Sequence, residues 1–149
     1  STAGTTNIKQ LTEANAARNL NINIIPAKDH AEAFLMVETG RSAAFVMDDI
    51  LLYSLVASSK SPADYAVGSE AYSVEPYGAM MPKDDPDYAK VINTATANLY
   101  KSGQINPIYE KWFLKPIPPK GITMNVPVSP QLKAAFANPT NSGDPAVYK

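Results

Sequence analysis

The sequence contains no cysteine, which removes disulfides, thiolate metal centres and cysteine nucleophiles at once. It has a single histidine, His30, and its carboxylates are not clustered for metal ligation, so no metal or other cofactor is expected. No apolar run approaches the ~18 residues that a membrane-spanning helix needs. An excess of one charge is missing too. Thirteen Lys and Arg against fourteen Asp and Glu leave a net charge of -1, so no nucleic-acid partner is expected and nothing draws the chain to anionic lipid. There is no phosphate-cradling glycine loop and no internal repeat. The opening residues, Ser1-Thr2-Ala3-Gly4, lack the basic and apolar regions of a signal peptide, as the mature form of an exported chain also would.

What is present is an ordinary water-soluble composition. With 149 residues, 45% hydrophobic and 18% charged, the chain can build one compact domain or two small lobes. Thirteen prolines concentrate in the second half, so the organisation changes along the chain.

The most informative stretch is Ser42-Ala43-Ala44-Phe45-Val46-Met47-Asp48-Asp49. A short apolar run leads into two carboxylates, and an apolar helical pattern follows over 50–57. That order predicts a central strand covered on both faces, ending at Asp48. In open α/β sheets ligands sit beyond the carboxyl ends of strands, which puts Asp48 at a cleft where it can hold a small cationic group. Asp49, adjoining the helix, is the expected cap; the reverse assignment of the two aspartates stays open.

Earlier in the chain, Gly4-Thr5-Thr6 precedes Ile8, Leu11, Ala14 and Ala17, a helical repeat, with Asn7–Gln10 as a capping box and Thr6 as the competing cap. Free N–H groups, two hydroxyls and the positive end of a helix dipole are the ingredients of an anion site; a plain N-cap is the alternative. Residues 21–26 alternate as a strand does before Pro26. Asp29 then caps a helix, with Glu32 three residues on, Ala33, Phe34 and Val37 as its buried stripe and Gly40 as its stop. His30 falls in the first turn, where the dipole favours a bound carboxylate. A helix–strand–helix–strand–helix order implies parallel pairing with right-handed crossovers. Thr5/Thr6, His30 and Asp48 all lie at strand-to-helix junctions, and in a parallel sheet those junctions share one edge.

Further on, 65–68 reads as a short strand and 73–82 as an extended crossing followed by a strand. Asp85-Pro86 opens a helix that runs to Ser102-Gly103. A second helix covers 107–114 with Trp112 and Phe113 as packing residues, and a last amphipathic turn or two spans 131–137 before an Asn-, Pro- and Gly-rich tail.

Taken together, Ala-Gly-Thr-Thr-Asn (3–7), Ala-Lys-Asp-His (27–30), Glu-Thr-Gly-Arg (38–41), Phe-Val-Met-Asp-Asp (45–49), Tyr-Gly (77–78), Lys-Asp-Asp-Pro (83–86), Ser-Gly (102–103), Lys-Trp-Phe (111–113) and Pro-Ile-Pro-Pro-Lys (116–120) carry a resemblance. In this order they resemble the glutamate/aspartate-binding proteins of bacterial ABC importers, a branch of the type II periplasmic solute-binding proteins. The resemblance implies an α/β fold: a second ligand-binding lobe with a mostly parallel sheet over residues 1–76, a return segment of the first lobe over 77–126, and a C-terminal helix and tail over 127–149. It implies a non-enzymatic, periplasmic protein that captures an acidic amino acid and delivers it to the membrane subunits of an ABC permease. On this pattern Thr5 and Thr6 cradle a ligand carboxylate, His30 meets the side-chain carboxylate and Asp48 holds the α-ammonium.

Members of that group are longer, with an N-terminal lobe whose arginines clamp the ligand carboxylates, and Arg18 and Arg41 do not fall at those positions. The chain therefore reads as a fragment that cannot bind acidic amino acids tightly alone. Its return segment (Tyr88, Val91, Ile92, Leu99, Trp112, Phe113) is expected to pack back on residues 1–75, dimerise or cover a partner fragment. Two other readings use the same fold. One is a dehydratase of the cyclohexadienyl type with Asp48 and His30 as an acid–base pair, and the other is the ligand-binding core of a glutamate receptor or sensor kinase.

Overall fold

A computed structural model describes residues 1–148. They divide into two compact units, one over Ser1–Tyr72 and one from Ser73 onward.

In the first unit the chain turns on Gly4, whose φ of +74° lies in the left-handed region that glycine adopts without steric cost. Helix α1 follows over Thr6–Arg18. Its cap is Thr5, in extended backbone, with Oγ1 facing the Ile8 N–H at 3.5 Å. This corrects the expected Asn7–Gln10 box and the Thr6 alternative: the cap lies two residues before Asn7 and one before Thr6, which frees the Asn7 side chain for other use. Helix α2, His30–Glu38, starts and stops where its sequence indicates, but its buried residues are Ala33, Phe34 and Met36, with the expected Val37 only half-buried. Asp29 Oδ1 accepts the Glu32 N–H at 2.8 Å, while Glu32 Oε2 reaches back to the Lys28 N–H at 2.8 Å. Gly40, at φ +70°, ends it by donating to the Val37 carbonyl. Helix α3 spans Asp49–Ser58, and a 3-10 turn covers Pro62–Asp64.

The expected strands do not close into a ladder among the described residues. One parallel bridge, Thr2 with Ala27, stands where the sheet was expected. The Ala27 N–H donates to Ser1 O at 3.0 Å, and its carbonyl accepts from the Ala3 N–H at 2.8 Å. One feature of 21–26 limits the pairing: Asn21 sits at φ +55°, which breaks the extended run near its start. The stretch 42–48 is joined to this segment by a side chain instead, with Ser1 Oγ donating to Val46 O at 2.9 Å. Residues 65–68 and 73–82 likewise form no strand, and Met80 is fully exposed.

The core cluster of this unit is Ala27, Ala33 and Met36 with Ile25 and Phe45 against them; Leu11 of α1 and Phe34 of α2 are buried as well. Phe34 packs on Tyr65 with ring centroids 5.2 Å apart. Burial of the α2 face explains why that helix is helical despite its nine residues, since tertiary packing rather than propensity holds helices this short.

In the second unit Asp85 caps helix α4, Pro86–Lys101, with proline at its first position, and Gly103 closes it at φ +77°. Helix α5, Ile105–Tyr109, widens into a π-type turn over Glu110–Leu114. That turn stacks Phe113 on buried Tyr109 at 4.3 Å. Trp112, expected to pack, is turned outward and 45% exposed, with Lys111 Nζ 5.1 Å above its ring. Phe113 stands four positions after Tyr109, the spacing that brings two side chains onto one helical face. Helix α6, Pro130–Ala137, is capped by Ser129 and meets α4 through Tyr100 and Phe136 at 4.9 Å.

Burial is thin throughout. The chain exposes 10541 Å², whereas two separate compact bodies of about 8 kDa would together expose about 8,900 Å². Tyr77, Tyr88 and Val91 contribute to that excess.

Candidate site at the helix starts of the first unit

The residues singled out from sequence occupy the starts of α1, α2 and α3, and each of the three corners is bonded to residues 1–7. Thr5 belongs to the first corner. Its hydroxyl donates to Thr2 O at 2.8 Å, so the proton expected to serve a ligand is committed to the turn. What this corner presents outward is the exposed Thr6 and the first-turn N–H groups that a helix leaves without intrahelical acceptors.

His30, half-buried, is the first residue of α2. Its Nδ1 lies 2.7 Å from Thr2 Oγ1, and its ring tilts against Phe45 with centroids 6.5 Å apart. Phe45 precedes Asp48 by one short stretch of the same segment, so the imidazole and the third corner share a neighbour.

Asp48, also half-buried, stands at the cap position expected of Asp49, which is instead the first residue of α3, yet its carboxylate is left for other contacts. The Asp48 backbone carbonyl accepts from Leu51 and Leu52 at 3.1 Å each, which makes it the N-cap by position. Its carboxylate makes no cap bond and instead accepts from Asn7 Nδ2 at 2.9 Å. Asp49 Oδ1 takes the Ile50 N–H at 2.7 Å. Carboxylate and helix start are thus both kept at the corner without competing for one another.

Ser1 completes the hub. Its backbone nitrogen donates to Ile25 O at 3.2 Å.

Chemically, the ensemble offers N–H donors at positive helix ends, an imidazole and a carboxylate. These suit a small molecule that carries both negative and positive groups. Among the described residues no cluster of His, Asp or Glu could hold a metal ion, and no helix is long and apolar enough to cross a membrane. Arg18 pairs with Glu70 at 3.1 Å on the exposed surface, and Arg41 is exposed.

Sequence reasoning missed Thr2 and the use of Asn7. A threonine in a small polar leader carries no periodic or spacing signal, and Asn7 was spent on a cap that Thr5 supplies.

Residues 6–115 match the family described as bacterial extracellular solute-binding proteins, family 3. Over 140 residues, 94% of this chain, it is 49% identical to an L-glutamate/L-aspartate-binding protein of Pseudomonas aeruginosa. It is 39% identical over the same share to a glutamate/aspartate import solute-binding protein of Escherichia coli K12. An ABC transporter glutamine-binding protein of Bacillus subtilis is 28% identical over 60% of the chain. The chain spans about half the length of these first relatives, 46% in each case.

Proposed function

This chain belongs to the bacterial extracellular solute-binding proteins, family 3, and from that premise we propose that it contributes one ligand-gripping lobe to an extracytoplasmic protein that captures an acidic amino acid for an ABC importer. Membership carries the type II periplasmic-binding-protein fold. Within that fold we assign residues 1–76 to the second lobe, 77–126 to the return segment of the first, and 127–149 to a terminal helix and tail.

One observation supports this reading above the others: three chemically different corners are bonded to a single seven-residue segment. An acidic amino acid carries one ammonium and two carboxylates. Asp48 accepts hydrogen bonds from the ammonium, a charge-assisted contact about twice as strong as a neutral one. His30 and the N–H groups at the α2 start face the side-chain carboxylate, and the Thr5–Thr6 turn takes another carboxylate through its backbone donors and the Thr6 hydroxyl. Closure of two lobes over the ligand then presents the loaded form to the permease. The relatives named above are binding proteins, which favours capture over the dehydratase and receptor readings.

The charge balance sets the limit of the lobe. Lys28, exposed, is the one cationic side chain in 1–7, 27–30 and 45–49, against a ligand with net charge of about -1. Tight capture therefore draws on cations from outside these segments. Isothermal titration with L-glutamate and L-aspartate tests the proposal. The 149-residue chain binds more weakly than micromolar, and a chain extended to the length of its relatives binds at micromolar or tighter. In the extended chain Asp48→Asn weakens binding roughly ten- to a hundred-fold, the range of a hydrogen bond to a charged group. Micromolar binding by the short chain, or an indifferent Asp48→Asn, would refute the proposal.

A further inference from the structure

We infer that Thr2 is a positioning residue that fixes the tautomer of His30, so that the ring offers an Nε2–H donor to the site. The inference rests on the proposed binding role of His30 for its functional meaning, but not for its chemistry.

Thr2 is 5% exposed, the one buried polar side chain among the described residues. Its backbone is held from two directions. The bridge to Ala27 pins the residues on either side of it, and its carbonyl accepts the Thr5 hydroxyl at 2.8 Å. Its own hydroxyl lies within hydrogen-bonding distance of one group in the described structure, His30 Nδ1 at 2.7 Å.

A hydroxyl carries one proton to give and lone pairs to receive. If Nδ1 bore the hydrogen and donated to Thr2 Oγ1, the buried Thr2 proton would be left without an acceptor. Leaving a buried donor unsatisfied costs more than an ordinary hydrogen bond gains. Both groups are satisfied only when Thr2 donates to a bare Nδ1, which places the neutral imidazole's hydrogen on Nε2. No protein group among the described residues engages Nε2. Half-buried His30 therefore presents a donor where the proposed ligand has an acceptor, a carboxylate oxygen.

Because His30 is the only histidine, a 15N-labelled sample of this chain yields one imidazole spin system in long-range 1H–15N correlation spectra, with no ligand added. With the ring neutral, Nδ1 falls in the pyridine-like range and Nε2 in the pyrrole-like range. Thr2→Ser, which keeps the hydroxyl, retains that pattern. Thr2→Val, which keeps the branched shape and loses the hydroxyl, draws the two shifts toward each other by about a five-fold fall in the tautomer ratio, the equivalent of one ordinary hydrogen bond. A hydrogen on Nδ1 in the unsubstituted chain overturns the inference without any variant having to fold. So does an unchanged pattern in a folded Thr2→Val chain. If the extended chain fails to bind acidic amino acids while these shifts hold, the capture reading falls and the tautomer assignment stands.

Discussion

Replacing Asp29 by alanine tests how α2, and with it His30, is held in place. The Asp29 carboxylate accepts the Glu32 N–H at 2.8 Å, and its charge lies at the positive end of the α2 dipole. Losing an N-cap oxygen costs about 1 kcal/mol. Losing a negative charge at an exposed helix start costs a further ~0.3–1 kcal/mol. The reciprocal bond from Glu32 to the Lys28 N–H loses its ordered partner turn as well, so the sum is set at about 1.5–2 kcal/mol. For a unit the size of Ser1–Tyr72 each kcal/mol corresponds to about 4–8 °C in Tm. Asp29→Ala therefore lowers the thermal midpoint of that unit by roughly 6–16 °C. Asp29→Asn keeps the capping oxygen and loses only the charge, so its fall is less than half as large. Thermal unfolding followed by circular dichroism at two salt concentrations separates the parts, since added salt screens the charge effect and leaves the cap. A shift under about 2 °C for alanine, or equal shifts for alanine and asparagine, would refute the capping account.

Phe34→Ala removes a buried ring that packs on Tyr65 at 5.2 Å and costs about 3 kcal/mol in urea unfolding, at the low end for such truncations because no large side chain here is fully buried. In the second unit Phe113→Ala, which breaks the 4.3 Å stack on Tyr109, destabilises more than Trp112→Ala, whose ring is 45% exposed; the opposite order by denaturant unfolding would contradict the outward placement of the tryptophan.

The elements written in full by the sequence are those settled within a few residues of chain. Asp29 with Glu32, Gly40, Asp85 with Pro86, and Gly103 each mark a helix end, because a cap satisfies N–H or carbonyl groups three or four positions away and needs nothing distant. Strands are different: the run at 42–48 and the alternation at 21–26 describe surfaces that want partners, and whether a ladder forms depends on which backbone arrives beside them. Here Ser1 and Thr2 arrive, Asn21 limits the extended run, and a single bridge results. The same holds at the site. Residue types named Thr5, Thr6, His30 and Asp48, but only the folded chain decided that the Thr5 proton turns inward, that Asn7 serves Asp48 and that Thr2, 28 positions from His30, controls its ring. A hydrogen bond between residues so far apart leaves no periodic trace in sequence, because its geometry is made by packing and not by the chain's own repeat.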